Sequence, residues 1–317
     1  VEVVDPAETE EAREIENLGV VPQRIRVIEQ NEESYAIVYT GVVIRYLDSY
    51  ETLPLVFDIS TLEYELTSNI RKLVSGKDKV AGLLIGEAGL TMNQNFRSLG
   101  TSLSQTFEFR EIEKAKPIPP DVSVLFVVGG RDLNETDIYY IDQYIMKGGK
   151  GFFALDPVFI DLQRNLTAVP LKDAPVFDLL EHYGIVIKSE LVLDSNSLQF
   201  PLRQQRGQVT IQTFEDYPHW ISIQPENTAM DNPITARFTG LDLFWTSPLE
   251  FTDKDIEVEI LANSSDDSWL MRKNLNTNPY EAAVYARNRE EAKGHYPLVS
   301  ALSAEFESYF AENNIPE

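Results

Sequence analysis

The chain has 317 residues, 43% of them hydrophobic and 10% aromatic, a composition that suits one or two globular domains with a sizeable core. Its 27 Lys and Arg are outnumbered by 51 Asp and Glu, and the formal net charge of −24 argues against binding to nucleic acids or anionic membrane surfaces. The absence of cysteine excludes cysteine nucleophiles, thiolate metal sites, disulfides and iron–sulfur clusters.

The start of the sequence and its longest apolar run bear on whether the chain contains a targeting or membrane segment. It starts Val1-Glu-Val-Val-Asp-Pro, with no Met, signal peptide or transit pattern. These alternating apolar residues predict the second half of a β-strand, so we expect the chain to begin inside a domain. The longest apolar run, Val122–Val128, is much shorter than the ~18 residues of a membrane-spanning helix.

The first 58 residues predict a β-rich module that serves as a structural platform. An acidic helix is expected over residues 5–17, with Asp5 as its N-cap and Pro6 in its first turn. Short turns separate the β-type runs that follow, which predicts an antiparallel hairpin or meander. These runs are residues 25–28, 35–39, 42–46 and 54–57.

From residue 59 the sequence predicts an α/β domain, extending to residue 275. Apolar strands are expected at 79–85, 122–128, 151–155 and 190–193, a short further strand at 107–112, and helices at 61–75, 93–105, 134–146 and 175–183. Strands that are apolar throughout are typical of a parallel sheet covered on both faces. We therefore predict a doubly wound, mostly parallel sheet whose core includes 79–85, 122–128, 151–155 and 190–193.

The last third of the sequence is expected to be β-rich and then polar. Strands are predicted at residues 209–214, 235–238 and 256–261, within the second half of the α/β domain. Residues 276–317 are expected to form a polar loop and a C-terminal helix over 298–310.

Known catalytic and cofactor motifs are missing from the sequence. The glycine pairs at 129–130 and 148–149 do not fit the phosphate-binding loop G-x-x-x-x-G-K-[ST]. The three histidines, His182, His219 and His295, have no metal-ligand spacing, and no G-x-S-x-G nucleophile elbow occurs. The sequence therefore predicts a protein that is not an enzyme, hydrolyses no ATP and uses no cofactor or metal.

Several segments match a known family. They are Tyr183-Gly-Ile with Leu191-Val-Leu-Asp, and then residues 58–70, 140–150, 17–22, 232–234 and 260–269. The most specific of them is the Ile141-Asp-Gln-Tyr helix with its Gly-Gly end. Over nearly its whole length the chain resembles the auxiliary component of gliding-motility-associated ABC transporters.

The resemblance implies an extracytoplasmic domain on the periplasmic side of the bacterial inner membrane, working beside separate permease and ATPase subunits. We expect the full-length protein to carry a membrane helix before Val1, after Glu317, or both. The middle domain is implied to be similar to the class I glutamine-amidotransferase-like fold. Related chains carry a Gly-His-Gly-Glu-like segment where this one has Gly86-Glu87-Ala88-Gly89, and the missing His argues against a catalytic use of that turn.

The leading interpretation is therefore a non-enzymatic accessory domain that binds a partner protein or an extracellular ligand. One alternative is a hydrolase of amidotransferase-like fold, whose strand-to-helix elbows would carry Gly130-Arg131 and Asp156-Pro157. The other is a carbohydrate-binding module, in which exposed aromatic side chains would line one cleft: Tyr217, Trp220, Trp245 and Trp269.

The functional surface is predicted at the carboxyl ends of the parallel strands, where open α/β sheets bind their ligands. These ends carry five candidate residues, namely Gly86, Glu87, Gly129, Gly130 and Asp156. Their acids would favour a cationic or hydroxyl-rich group, and the alternative is that they are only the turns such a sheet needs. A second candidate surface is the cluster of Ser264, Ser265 and Trp269.

Overall fold

The computed structural model describes residue 3 and residues 12–29, 32–56, 59–75, 79–104, 106–171, 173–252, 256–281 and 293–316. Its contacts divide into two units, one of residues 1–81 and 98–109 and the other of residues 82–97 and 110–317. The predicted helix start at Asp5 and Pro6 lies outside the described residues.

The first unit contains two antiparallel hairpins, β1–β2 and β3–β4, as the turn signals predict. Its elements are α1 (Ala12–Asn17), β1 (Gln23–Glu29), β2 (Glu32–Val38), β3 (Val42–Tyr46), β4 (Ser49–Leu53) and α2 (Ile59–Ser75). Helix α2 packs against β3 and β4, where Lys72 forms an ion pair with Glu51 at 2.9 Å.

The strand predicted at residues 54–57 is wrong for the described residues 54–56, because the fourth strand is Ser49–Leu53. Tyr46 pairs with Ser49, so the turn consists only of Leu47 and Asp48. Leu47 has a φ of 52°, the left-handed conformation that a tight two-residue hairpin turn requires. The polar strand after this turn has no apolar run to reveal it, whereas the apolar run at 54–57 follows the strand.

The next elements build a four-stranded sheet in the order β6-β5-β7-β8. They are β5 (Lys79–Ile85), α3 (Met92–Asn95), α4 (Arg97–Leu103), β6 (Phe107–Glu111), β7 (Val122–Val128), α5 (Glu135–Met146) and β8 (Gly151–Ala154). Helices α3 and α4 replace the single helix predicted over 93–105, because the chain leaves the helical conformation at Phe96.

Three strands of this sheet end at the same edge. The N–H of Gly86, which follows β5, donates to the carbonyl of Val128 at the end of β7 over 2.8 Å. The N–H of Gly129 donates in turn to the Ala154 carbonyl of β8 over 2.9 Å, and β7 and β8 pair in parallel. The prediction that residues 79–85, 122–128 and 151–155 share one sheet is therefore confirmed.

The fourth predicted strand of the parallel core, at residues 190–193, is wrong. It belongs to β12 (Leu191–Asp194), which pairs antiparallel with β18 (Ser268–Met271) in a different sheet. Leu193 packs into one apolar cluster and Val192 into another, so both faces of β12 are buried. A run that is apolar throughout indicates burial on both faces but not the direction of the neighbouring strand.

The remaining strands form small antiparallel sheets: β9–β10, β11–β16, β12–β18–β19, β13–β14–β15 and β17–β20. The elements not yet given are β9 (Val158–Asp161), β10 (Thr167–Pro170), α6 (Pro175–His182), β11 (Ile185–Ile187), β13 (Ser197–Arg206), β14 (Val209–Ile223), β15 (Leu241–Phe244), β16 (Leu249–Phe251), β17 (Glu257–Asn263), β19 (Lys293–Gly294) and β20 (Pro297–Ser303).

Two further predictions in this region are wrong. Residues 235–238 lie in a turn region instead of a strand. The Thr235 hydroxyl donates to the Ala229 carbonyl at 2.5 Å, a local hydrogen bond between residues six apart. Residues 298–310 are not a helix, because β20 pairs antiparallel with β17 and ends before a single 3-10 turn at Tyr309–Ala311. The burial of Leu298 in the core beside Ala262 outweighs the local helical pattern.

Candidate functional site

The turns that follow β5 and β7 lie against each other at the carboxyl edge of the sheet. The backbone N–H of Asp132 donates to the Gly86 carbonyl over 2.9 Å, and the carboxylate of Asp132 accepts the N–H of Ala88. One acidic residue after β7 therefore holds both ends of the turn after β5.

The glycines predicted for this site allow the two turns to approach each other closely. A Cβ at Gly86 would collide with the carbonyl oxygen of Gly129. Gly129 has a φ of 71°, and a Cβ there would lie 2.8 Å from the Cβ of Glu87. Backbone packs against backbone here, so these two glycines fix the spacing of the turns that carry the charged side chains.

A short chain of contacts joins the charged groups of the two turns. The guanidinium of Arg131 lies 2.5 Å from the Glu87 carboxylate and 4.0 Å from that of Asp132. The Cζ atom of Arg131 also lies 4.2 Å from the centre of the Phe159 ring, a cation–π contact. The predicted acid Glu87 is thus paired with an arginine that sequence reasoning assigned only to a possible elbow.

Burial and charge act in opposite directions on Glu87. Burial raises the pKa of its carboxyl group, the Arg131 guanidinium lowers it, and the nearby Asp132 carboxylate raises it again. Its side chain is only 17% exposed, so a ligand would reach Arg131 more readily than Glu87.

Asp156 follows β8 at the same edge and is exposed. Desolvation by the surrounding protein raises the pKa of its carboxyl group to about 6. The neighbouring Gly130 packs closely, since a Cβ there would lie 2.7 Å from Val176 of α6. Asp156 is therefore the acid of the predicted site that a ligand could bind without first breaking an ion pair with Arg131.

The second predicted surface, at Ser264 and Ser265, is part of the interior. Ser265 donates to the buried Asp194 carboxylate from its backbone N–H at 2.7 Å and from its hydroxyl at 2.6 Å. Ser264 is fully buried, and its hydroxyl lies 2.7 Å from that of Ser268. Asp194, which sequence reasoning missed, is the acceptor that organises this region.

The aromatic residues considered for a carbohydrate cleft form a core cluster. Tyr217 and Trp269 are buried together with Leu193, and Trp220 and Trp245 pack against that cluster. The Tyr217 hydroxyl accepts the indole N–H of Trp245 at 3.0 Å and donates to the Thr277 carbonyl at 2.5 Å. All four side chains belong to or pack against one core cluster, so this set does not line an exposed cleft.

The family of the chain follows from a sequence match to a family model over most of its length. A family model described as an ABC-type uncharacterized transport system matches residues 77–317. The chain belongs to this family.

A curated relative extends the comparison to the first unit. An uncharacterized protein of Borreliella burgdorferi is 28% identical over 316 residues, which is 95% of this chain. The chain spans about 60% of the length of that relative.

The histidines of this transport-family chain take structural positions. His219 is fully buried, and desolvation lowers the pKa of its imidazole to about 3, so it is neutral. The ring of His182 hydrogen-bonds to the Glu307 carbonyl at 3.0 Å, and His295 lies 3.3 Å from Asp266. In the described part of the chain, His, Asp and Glu side chains nowhere gather into a group able to hold a metal ion.

A helix that crosses a membrane needs about 20 predominantly apolar residues. Within the residues that the structure describes, no helix combines the length and the apolar character needed to cross a membrane.

Proposed function

We propose that the chain is a non-enzymatic, extracytoplasmic accessory domain of an ABC-type transport system of the gliding-motility-associated type. Membrane helices outside this sequence anchor it in the inner membrane, and it binds the permease and, through it, the ATPase. Its sheet is doubly wound and similar to the class I glutamine-amidotransferase-like fold. Membership of the transport family and the arrangement of residues at the carboxyl edge of β5, β7 and β8 support this proposal.

The non-enzymatic role is supported by the side chains at the two possible elbows. A hydrolase of this architecture needs a nucleophile there, and the chain has no cysteine. One elbow instead presents Arg131, whose guanidinium is paired with Glu87. The other presents Asp156, an exposed residue whose carboxyl group is desolvated by the surrounding protein and would gain from a nearby cation.

The binding surface is defined by Asp156 and the Glu87–Arg131 pair. Arg131 neutralises Glu87 and packs against the ring of Phe159, so the positions of this pair are fixed. Asp156, an exposed residue, adds an acid to the same recognition surface. Desolvation disfavours the charged form of Asp156, and the nearby cation of a partner's Lys or Arg would stabilise that form. The site therefore favours a partner protein that presents a basic side chain.

The proposal is tested by capturing the intact membrane protein and identifying co-purified proteins by mass spectrometry. We expect an ABC permease and its ATPase with the native protein and much less of both with Asp156→Asn. Asp242→Asn, which removes an exposed acid of β15, is the matched control and should capture both subunits normally. Failure of the native protein to retain a permease would contradict the proposal.

The pH dependence of capture gives a second readout. Asp156 is charged above its pKa of about 6, so capture should strengthen as pH rises through that value. Asp156→Asn should remove this rise and leave the melting temperature at neutral pH equal or slightly higher, because it removes a desolvated charge. A pH profile that Asp156→Asn does not alter would assign the interaction to another surface.

A further inference from the structure

In the β13–β14 hairpin, the outer half of β14 is exposed on both faces. Along β14, residues 209–216 are all exposed, and three of them are large and apolar: Val209 at 62%, Ile211 at 40% and Phe214 at 59%. β15 pairs with β14 only at residues 220–223, and among the described residues no strand pairs with the free edge of β14 at 209–216.

The other edge of the hairpin shows which backbone groups point outward. The Arg203 N–H donates to the Tyr280 hydroxyl at 3.4 Å, and the Arg203 carbonyl accepts from that hydroxyl at 3.3 Å. Both groups therefore point away from β14, and Arg203 faces Gln212 in a pair without ladder hydrogen bonds. By this alternation, the N–H and C=O groups of Thr210, Gln212 and Phe214 point to the open edge.

This edge lacks the features that keep exposed strands apart. Residues 208–214, Gln-Val-Thr-Ile-Gln-Thr-Phe, contain no charge, no proline and no glycine, and five of the seven are β-branched or aromatic. Such a strand is a template for pairing with another strand. It is unusual in a chain whose net charge is −24.

The geometry points to a second copy of this chain as the occupant, bound edge to edge through antiparallel β14 strands. With the two-fold axis at Gln212, Thr210 of each copy pairs with Phe214 of the other, and their outward groups exchange hydrogen bonds. The uncharged centre lets two acidic molecules approach without like charges opposite each other.

Charge at the two ends of the hairpin favours this copy-to-copy pairing. The acids Glu215 and Asp216 at the base of one hairpin would lie beside residues 208 and 209 near the tip of the other. Residues 201–214 contain two arginines and no acid, so the tip is the basic partner of that acidic base. The two-fold axis makes this contact twice.

Sedimentation equilibrium of the chain over the micromolar range tests the proposal, and we expect a reversible dimer. Gln212→Pro removes an outward N–H without taking a bond from the β13 ladder, and it should abolish the dimer. Ile211→Lys should weaken dimerisation by at least about tenfold, because it places two ammonium groups near the two-fold axis. Ile37→Lys, at an exposed isoleucine of β2, is the matched control and should dimerise normally.

A crosslink makes the result independent of those substitutions. Because the chain has no cysteine, Gln212→Cys introduces a single thiol at the proposed axis, and mild oxidation should join two chains. Ile37→Cys, under the same conditions, should form no covalent dimer, because its thiol lies away from the proposed axis. A chain that stays monomeric throughout the concentration series, or a dimer that Gln212→Pro and Ile211→Lys leave unchanged, would overturn the proposal.

Discussion

Asp194 shows how one buried side chain joins distant parts of the second unit. It is 1% exposed and accepts two hydrogen bonds from Ser265, which lies 71 residues away in sequence, and one from the N–H of Asn196 at 2.9 Å. Hydrogen bonds to a charged acceptor are about twice as strong as neutral ones. The end of β12 is thereby fixed to the turn before β18.

The change Asp194→Ala should lower the free energy of unfolding of the second unit by about 3 kcal/mol, because it removes three hydrogen bonds to a buried carboxylate. Chemical denaturation would measure the loss. Asp194→Asn keeps one acceptor oxygen and should recover part of it, whereas Asp242→Ala at the surface should change little. Equal stability of native protein and Asp194→Ala would show that these bonds contribute nothing.

Sequence reasoning pointed to the right residues here but to the wrong role. Ser264, Ser265 and Trp269 stand out as a polar and aromatic cluster, which is the composition of a binding surface. Their burial depends on a carboxylate that is close only in the folded chain. The one sequence signal for Asp194 is its place directly after the apolar residues Leu-Val-Leu of β12.

At the scale of elements, the C-terminal segment is held on α5 and α6 by one carboxylate. Asp142 of α5 accepts from the Ser308 hydroxyl at 2.7 Å, the Tyr309 N–H at 2.9 Å and the Tyr183 hydroxyl at 2.7 Å. Burial, and then the hydrogen bond to Asp142, raise the pKa of the Tyr183 hydroxyl. The ring of Phe310 packs edge-on against Tyr139 at 5.3 Å.

The change Asp142→Ala should release residues 304–311 from the two helices, since the segment loses two of its anchoring hydrogen bonds at once. Hydrogen exchange would report the release as lost protection at the backbone N–H of Tyr309. Ser308→Ala removes only one of the donors and should have a smaller effect. Unchanged protection in Asp142→Ala would mean that aromatic packing and the hydrogen bond between His182 and the Glu307 carbonyl are enough to hold the segment.

The predictable elements are those whose signals are local. Helix α5 was predicted from its Asn134 cap, and the Asn134 side chain does accept from the N–H groups of Thr136 and Asp137. β20 was not predictable, because its pairing with β17, about 40 residues earlier, decides between strand and helix. β12 was recognised as a buried strand, but its partner strand is set by tertiary packing.

At the scale of the whole molecule, the excess of acids acts against the compact state. A net charge of −24 produces repulsion that is strongest at low salt. Raising ionic strength from about 0.01 M to about 0.15 M shortens the Debye length from ~30 Å to ~8 Å. Exposed ion pairs such as Lys116–Glu113 lose little by this, because they contribute little in water.

We therefore expect the unfolding temperature to rise with salt over this range, because screened repulsion outweighs weakened ion pairs. Calorimetry in NaCl and in KCl would measure the rise and show that no particular cation causes it. A fall in the unfolding temperature would mean that attractive pairs dominate the electrostatics of the folded chain.

The location of the candidate site was more predictable than the pairing of its charged side chains. The apolar strands and the glycines after them locate the carboxyl edge, and the structure brings Gly86, Glu87 and Gly129 together there. The pairing of Glu87 with Arg131 was not predictable, since the sequence does not show where the side chain of an arginine directly after a Gly-Gly turn will point. Under the proposed function, that pairing leaves Asp156 as the acid that would contact a partner.

The clustering of the indole rings has a consequence for optical measurements. The chain has three tryptophans, and Trp220, Trp245 and Trp269 all belong to the aromatic core of the second unit. Their fluorescence is therefore a property of that unit alone, while circular dichroism records the backbone of both. A difference between the two signals during unfolding would reveal that the first unit loses its structure independently, with no dye or label attached.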